Sequence, residues 1–316
     1  MRVLFIFLDG IGLGGNDPAI NPFANARMPN LNRILEGRSL VAASAPFIGA
    51  DATLLAIDPH VGVVGLPQSA TGQAVLVTGK NIPMELGYHY GPKPNPAVAS
   101  YLKNGTLFSR CAEAGKKAAL LNAYPPRYFD GIDSGKRIYS SIPMAVTNAG
   151  LALFTDKDFF EGRALSADFT GNGWRTMLGF PDAPVMSAHE AGRKLASLAM
   201  GYDFSLFEYW ASDYAGHKQQ METAVGLMET FDGVLGGIQE ERRTLRHASG
   251  QATKEELLIV VTSDHGNMED MSTRKHTDAD VPALVIGNKA AREEFTREMS
   301  DLTHIAPAIW RTMIDS

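Results

Sequence analysis

The stretch "VVTSDHGNMEDMSTRKHTD", residues 260–278, puts an acid and an imidazole directly after a run of apolar residues. The run Leu257–Thr262 is rich in β-branched residues and is typical of a buried strand of a parallel sheet. Asp264 and His265 follow it at once, and His276 lies further along the same stretch. Because open parallel sheets bind their ligands beyond the carboxyl ends of the strands, these side chains predict a site at that edge of a sheet.

Similar apolar runs, separated by helical patterns, recur along the chain. The runs predicted as buried parallel strands are Val3–Leu8, Ala118–Leu121, Phe204–Trp210, Leu257–Thr262 and Ala283–Ile286. Ser187 and Glu190 form a capping box that predicts a helix over residues 189–198. The face of a further helix is predicted from apolar residues at steps of three and four, which are Met221, Val225, Met228, Phe231, Leu235 and Ile238. The alternation predicts an α/β fold with a mostly parallel sheet covered by helices on both faces.

A change of composition divides the predicted fold. Residues 81–96 and 168–184 are rich in Gly and Pro, unlike the flanking sequence. We therefore expect residues 1–85 and 186–316 to form a metal-binding core, and residues 86–185 to be part core and part small cap or lid. Residues 239–256 are predicted to be a solvated helix end and loop.

Composition and charge exclude several classes of protein. The net charge of −6 argues against a nucleic-acid-binding protein. The single cysteine, Cys111, excludes a disulfide within the chain and a thiolate metal cluster. The apolar run at the N-terminus is too short for a secretory signal, and no run approaches the roughly 20 residues that cross a bilayer. We expect a cytoplasmic protein that binds neither nucleic acid nor membrane, with its oligomeric state left open.

Carboxylates and imidazoles follow three of the predicted strands. The candidate ligands are Asp9, Asp213 and Asp264 with His217, His265 and His276. His217 lies four residues after Asp213, so a helix would place both side chains on one face. Such a concentration of acids is costly without a cation, and the mixture of Asp and His suits Zn²⁺ or Mn²⁺ better than Ca²⁺. Six ligands predict two divalent ions, the usual device for stabilising phosphoryl transfer.

A candidate nucleophile lies in "GLPQSATGQAVLVTGKN", residues 65–81. Gly and Pro lead into Ser69, and the apolar segment that follows predicts a helix starting there. A serine at a helix N-terminus would face a phosphate held by backbone N–H groups. The alternative role for Ser69 is a helix N-cap, and Thr71 is the alternative nucleophile.

The motifs together resemble a known superfamily. "FLDGIG", "GLPQSATGQ", "DYAGH", "SDHGN" and "KHTD" occur in the order found in the alkaline phosphatase superfamily, and are most similar to its cofactor-independent phosphoglycerate mutases and phosphopentomutases. The resemblance covers roughly residues 1–80 and 203–290. It implies one ion held by Asp9, Ser69, Asp264 and His265, and a second held by Asp213, His217 and His276. It also implies that Ser69 is transiently phosphorylated.

The chain departs from the mutases between its motifs. Only 144 residues (213 − 69) separate Ser69 from Asp213, and the arginine-rich substrate motif of the glycerate mutases is absent. "PPRYFDGIDSGKR", residues 125–137, supplies Arg127, Lys136 and Arg137 in a different pattern. A reduced cap favours a phosphohydrolase that acts on a small phosphorylated substrate. The alternatives are a phosphomutase, a phosphodiesterase and, more remotely, a non-catalytic metal-binding protein.

Four further residues are candidates for contact with substrate, and each has a structural alternative. Lys80 and Asn81 follow the nucleophile helix and could equally form its C-terminal cap. His89 and Arg163 could equally be loop residues with partners of their own.

Overall fold

The computed structural model describes residues 1–249 and 257–314, and the side chains of residues 246–249 are not described. A seven-stranded sheet and a two-stranded sheet are formed by these residues. The strands are β1 (Arg2–Leu8), β2 (Phe47–Ile48), β3 (Ala52–Ile57), β4 (Ala118–Leu120), β5 (Ala123–Tyr124), β6 (Phe154–Thr155), β7 (Phe204–Tyr209), β8 (Leu257–Thr262) and β9 (Val281–Ile286).

The main sheet has a parallel half and an antiparallel half. Its order is β2-β3-β9-β8-β1-β7-β4, and the four strands β8, β1, β7 and β4 are parallel. β9 pairs antiparallel with β8, and β3 with β9. The core of the sheet is therefore mostly parallel, as the sequence predicts, but the prediction of a parallel strand at 283–286 is wrong. A parallel return needs a long crossover, usually a helix, and the connection between β8 and β9 has none.

Helices cover both faces of the main sheet. They are α1 (Pro22–Asn25), α2 (Pro29–Ile34), α3 (Ser69–Thr78), α4 (Ile82–Leu86), α5 (Pro96–Tyr101), α6 (Leu107–Glu113), α7 (Pro126–Asp133), α8 (Ser141–Asn148), α9 (Asp156–Phe160), α10 (Asn172–Thr176), α11 (Ala188–Ala199), α12 (Ala211–Lys218), α13 (Met221–Ser249), α14 (Lys289–Phe295) and α15 (Ile305–Ile314). None of these helices is long and apolar enough to cross a membrane.

The interior strand β1 supplies side chains to two separate cores. Leu4 and Ile6 pack on one face with α11 and α13, while Phe5 and Phe7 pack on the other with α3 and α15. Because side chains alternate along a strand, a continuous apolar run is buried from both sides. The covered parallel sheet predicted from these runs is confirmed.

The two helices predicted from the sequence are present, but the segment predicted to be solvated is partly buried. The capping box of Ser187 and Glu190 starts α11, and the apolar stripe of α13 is buried at Met228, Phe231, Leu235 and Ile238. Beyond the stripe, the predicted solvated segment 239–256 begins with Gln239 and Arg242, which are buried. The prediction is wrong for these two residues, and residues 250–256 lie outside the described part of the chain.

Residues 86–185 contribute both to the main sheet and to a separate two-stranded sheet. β4 completes the edge of the main sheet, and α8 packs against α3. β5 and β6 form the second, two-stranded sheet, beside a small apolar cluster that includes Phe159 and Trp174. The division into core and cap stays a prediction, but both kinds of packing are present.

Candidate metal centre

The six candidate ligands gather at the carboxyl edge of the parallel strands. Asp9 follows β1, and Asp213 and His217 lie on α12 just after β7. Asp264, His265 and His276 lie in the connection between β8 and β9. The structure brings them together in two groups, each with ligand atoms within 4.8 Å of one another. We call Asp9, Asp264 and His265 the inner group, and Asp213, His217 and His276 the outer group.

The inner group is buried and includes the nucleophile candidate. His265 Nε2 lies 3.5 Å from Asp9 Oδ1 and 3.6 Å from Asp264 Oδ2. It also lies 3.0 Å from Ser69 Oγ. These oxygens surround one imidazole nitrogen closely enough to share a single cation.

The outer group is more open and adjoins the inner one. His217 Nε2 lies 3.3 Å from Asp213 Oδ2, as expected for residues four apart on a helix. His276 Nε2 lies 3.8 Å from Asp213 Oδ1. The rings of His265 and His276 stack with centroids 3.7 Å apart, so the two groups form one continuous site.

Backbone carbonyls set the tautomers of the two outer imidazoles. Nδ1 of His217 lies 2.7 Å from the carbonyl oxygen of Arg274, and Nδ1 of His276 lies 2.7 Å from that of Pro67. A carbonyl only accepts, so each Nδ1 carries a hydrogen, and Nε2 is the atom that each ring can offer to a metal ion. The two Nε2 atoms are 3.3 Å apart. Lone pairs that face each other at this distance repel, so the arrangement suits a cation between them.

The electrostatics of the inner group also fit a cation. Burial, followed by the charges of Asp264 and Asp213, raises the pKa of Asp9 well above its ordinary value. Burial raises the pKa of Asp264 and lowers that of His265. Asp9 Oδ1 is buried without a hydrogen-bond partner in the described structure. Clustered carboxylates with an unpartnered oxygen are costly, and divalent cations would offset this cost.

Two amides support the carboxylates, and sequence reasoning assigned neither of them. Asn267 Nδ2 donates to Asp213 Oδ1 at 2.7 Å. Gln73 Nε2 donates to Asp264 Oδ2 at 3.3 Å. Both residues lie inside the motifs "SDHGN" and "SATGQ", but their orientation toward a carboxylate depends on how the strands and α3 pack.

Ser69 is the first residue of α3 and its hydroxyl does not cap the helix. Gln68 occupies the N-cap position, so the proposed capping role of Ser69 is wrong. The hydroxyl of Thr71 donates to the carbonyl of Gln68 at 3.1 Å and accepts from the amide of Tyr90 at 3.1 Å. Thr71 is thus engaged in the turn, whereas the Ser69 hydroxyl faces His265.

Two glycines permit the close approach of the ligands. A Cβ placed on Gly72 would lie 2.8 Å from the Cβ of Asp264, so only glycine lets α3 reach the inner group. Gly10 has a φ of +67°, and a Cβ there would lie 2.6 Å from Asp213 Oδ1.

A buried acid that the sequence reasoning missed lies beside the inner group. Glu208 accepts a hydrogen bond from the hydroxyl of Tyr124 at 2.8 Å. Burial raises the pKa of Glu208 to about 7, and its charge contributes to the raised pKa of Asp9. The sequence signal that could have identified it is a single charged residue in the fully buried strand "FSLFEY".

The residues predicted to contact substrate are not brought to the two groups. Lys80 and Asn81 follow the far end of α3, which a ten-residue helix puts roughly 15 Å from Ser69. Asn81 caps α4. His89 Nε2 faces the carbonyl of Val63 at 3.3 Å. Arg163 pairs with Asp158 at 2.7 Å.

Comparison with known proteins agrees with this site. Residues 178–314 match the family model of the metalloenzyme superfamily. The 2,3-bisphosphoglycerate-independent phosphoglycerate mutase of Wolinella succinogenes is 31% identical over 137 residues, which are 41% of this chain and 25% of that protein. The enzyme of the same name from Yersinia pestis is 32% identical over 140 residues, 41% of this chain and 24% of that protein. The match thus spans about a quarter of the length of these relatives.

Solved structures share the fold. The alkaline phosphatase of the Antarctic bacterium TAB5 aligns with a TM-score of 0.55 at 12% identity, covering 99% of this chain and 97% of that one. A protein from Pyrococcus horikoshii aligns with a TM-score of 0.55 at 15% identity, covering 100% and 97%. The fold is that of the alkaline phosphatases, and it carries two groups of side chains that could each hold a metal ion. The chain is similar to metalloenzymes of the alkaline phosphatase superfamily, and in sequence to its cofactor-independent phosphoglycerate mutases.

Proposed function

We propose that this protein is a dinuclear-metal phosphohydrolase that cleaves phosphate esters through a phosphoseryl intermediate on Ser69. The observation that carries the proposal is the position of Ser69 Oγ, 3.0 Å from His265 Nε2 and at the start of a buried helix. A hydroxyl held against a ligand group, and not used as a cap, is placed for nucleophilic attack.

The six ligands fit two divalent ions such as Mn²⁺ or Zn²⁺. The inner group with Ser69 would hold one ion, and the outer group the other. When bound, such ions neutralise the clustered carboxylates, favour the ionised form of a serine hydroxyl and stabilise charge on a phosphoryl group.

The first turn of α3 supplies a binding site for the phosphoryl oxygens. The amide of Thr71 is taken by the carbonyl of Tyr90 at 3.0 Å, and that of Gly72 by Gln68 at 2.9 Å. The amides of Ser69 and Ala70 have no hydrogen-bond partner in the described structure. These two donors, together with the helix dipole, would hold oxygens of a bound phosphoryl group.

The reaction then follows in two displacements. Ser69 Oγ gives its proton to solvent and attacks phosphorus while the bond from phosphorus to the ester oxygen breaks, and the alcohol leaves with a proton taken from solvent. Water next attacks the phosphoserine, which releases inorganic phosphate and restores the serine. The amides of α3 face the same oxygens in both displacements and so stabilise both transition states.

A phosphomutase is the second candidate, because the curated relatives are phosphoglycerate mutases. The two activities share the first displacement. They differ in whether the phosphoserine passes its phosphoryl group to water or back to another hydroxyl of the substrate.

The test measures the metal content of the purified protein and the products that it forms from phosphate esters. We expect about two divalent ions per chain and release of inorganic phosphate from monoesters. Ser69→Ala should lower turnover about a thousandfold or more, while the control Ser100→Ala, an exposed serine on α5, should retain it. Isomerisation of phosphoglycerate or pentose phosphate without phosphate release would favour the mutase. Faster cleavage of diesters than of monoesters would favour a phosphodiesterase, and metal-loaded protein without turnover would leave a binding protein.

A further inference from the structure

Two chain segments cover the first turn of the nucleophile helix α3. A Cβ placed on Gly91 would lie 3.2 Å from the amide nitrogen of Ser69, so the first segment lies against the backbone at the start of α3. In the second segment, Ser141 Oγ donates to the carbonyl of Ala70 at 2.8 Å. Both segments therefore pack against the first turn of α3, the helix that begins at Ser69.

Each of these segments carries a cation. Lys93 lies two residues after Gly91, and Arg137 lies four residues before Ser141. Lys93 Nζ donates to the carbonyl of Ile138 at 3.2 Å, which joins the two segments. Burial, and then the charge of Arg137, lowers the pKa of Lys93, as expected for two cations held close together.

Neither cation is paired with a carboxylate in the described part of the chain. Arg137 instead has its guanidinium 5.2 Å from the ring centroid of Tyr128. Like charges that converge without a counterion are unfavourable, and an anion bound between them removes this cost. The arrangement contrasts with Arg163, which pairs with Asp158.

An aromatic wall with an unused hydroxyl lines the same place. The ring of Tyr128 lies 4.5 Å from that of Tyr124 and 6.1 Å from that of Tyr139, measured between centroids. The Tyr128 hydroxyl is buried and has no hydrogen-bond partner in the described structure. Tyr124 bonds Glu208, whose charge acts on Asp9, so the wall extends from the cations toward the inner group.

We propose that Lys93, Arg137 and the Tyr128 hydroxyl form a subsite for a second anionic group on the alcohol portion of a phosphate ester. This inference rests on the proposed function, because it assumes that the phosphoryl group to be transferred sits at Ser69. The substrate class is then a phosphate ester that also carries a carboxylate or a second phosphate.

The contacts separate this subsite from the metal centre. No hydrogen bond or ion pair within residues 1–249 and 257–314 joins Lys93 or Arg137 to a member of the inner or outer group. The α3 amides and the metal ligands already surround the place of the transferred phosphoryl group. The two cations therefore serve a different anion, beside the first.

The test measures selectivity between matched probes by calorimetric titration of metal-loaded Ser69→Ala protein. Three pairs differ by one anionic group: ethyl phosphate and phosphoglycolate, phenyl phosphate and 4-carboxyphenyl phosphate, and 3-hydroxypropyl phosphate and 1,3-propanediol bisphosphate. We expect the protein to bind the second member of at least one pair more tightly than the first, and the preferred pair distinguishes carboxylate from phosphate.

A second substitution tests the two cations. Adding Arg137→Gln or Lys93→Gln to the Ser69→Ala protein should lower that preference about tenfold, since each removes a charge-assisted bond. The controls Arg127→Gln and Lys136→Gln, neighbouring cations of the same types, should leave it unchanged.

Three other results would overturn either the subsite or the proposed function. The absence of any preference for the doubly anionic probes overturns the subsite. An equal loss of affinity for both members of a pair assigns the cations to the transferred phosphoryl group, and also overturns it. A preference that is lost in Arg137→Gln, in a protein whose unmutated form turns over no phosphate ester, would retain the subsite and reject the proposed function.

Discussion

The inner and outer ligand groups are built from the same two residue types but in different surroundings. Asp264 and His265 are fully buried, directly after β8 in the middle of the sheet. In the outer group the His217 side chain is 41% exposed, and its ligands come from α12 and a long connection. The buried inner group lies beside Ser69, whereas the outer group reaches solvent through His217. We therefore expect that an ion in the inner group would be held more firmly, and that an ion in the outer group would exchange more easily.

The largest difference is expected when one ligand of each group is removed. Asp264→Asn should eliminate the inner ion and lower turnover about a thousandfold, because no water can replace a ligand in a buried group. His217→Asn should lower turnover only about tenfold to a hundredfold, with partial recovery in excess metal, since water can occupy its exposed position. Metal analysis and steady-state kinetics measure both effects. Equal losses in the two variants would contradict the proposed difference between the groups.

Glu208 tests whether the charge around the inner group is costly without metal. Its pKa is raised to about 7 by burial, so the folded state binds its proton more tightly than the unfolded state, whose pKa is 4.5. An acid with a raised pKa destabilises the fold as pH rises from about 4.5 through 7, by roughly 3 kcal/mol in total. In metal-free protein at pH 8, Glu208→Gln should therefore be more stable than the unmutated chain, and at pH 4 about equally stable.

Urea unfolding in chelator at the two pH values measures this effect. The control Glu113→Gln changes an exposed acid on α6 and should show no such pH-dependent gain. A Glu208→Gln protein that is less stable at pH 8 than at pH 4, relative to the unmutated chain, would show that Glu208 is stabilised as an anion.

The smallest effect is expected from the close approach of α3 to the inner group. Gly72→Ala adds a Cβ 2.8 Å from that of Asp264 and should destabilise the protein by about 1–3 kcal/mol. The same change at Gly226, in α13, meets no atom within 4 Å and should stabilise it by about 0.5–1 kcal/mol. Thermal unfolding of the two variants gives the comparison. A neutral Gly72→Ala would mean that α3 and the inner group can move apart freely.

The sequence predicted the parallel strands and the ligand edge because both leave a local signal. The apolar run before Asp264 marks a buried strand, and a polar residue directly after such a strand can only lie at its carboxyl edge. The direction of β9 was not predictable, since a buried antiparallel strand has the same all-apolar pattern as a parallel one. Long-range pairing, not local preference, decides that direction.

The supporting residues of the site show a different limit of sequence reasoning. The orientation of Gln73 toward Asp264, and the burial of Glu208 beside Asp9, depend on packing between distant segments. Lys80 was a reasonable candidate by its closeness to Ser69 in sequence, but a helix carries it away from the site. Arg137 belongs to a segment that matches none of the motifs, and only the folded chain brings that segment to α3, through the hydrogen bond from Ser141 to Ala70.

The central claim is that Ser69 carries the phosphoryl group between the two displacements. The most direct measurement is mass spectrometry of metal-loaded protein quenched in acid during turnover of a phosphate monoester. The account predicts one phosphoryl group, located on Ser69 and not on Thr71, in a fraction of chains that disappears in Ser69→Ala. Steady release of phosphate with no phosphorylated serine at any quench time, together with full activity of Ser69→Ala, would contradict it.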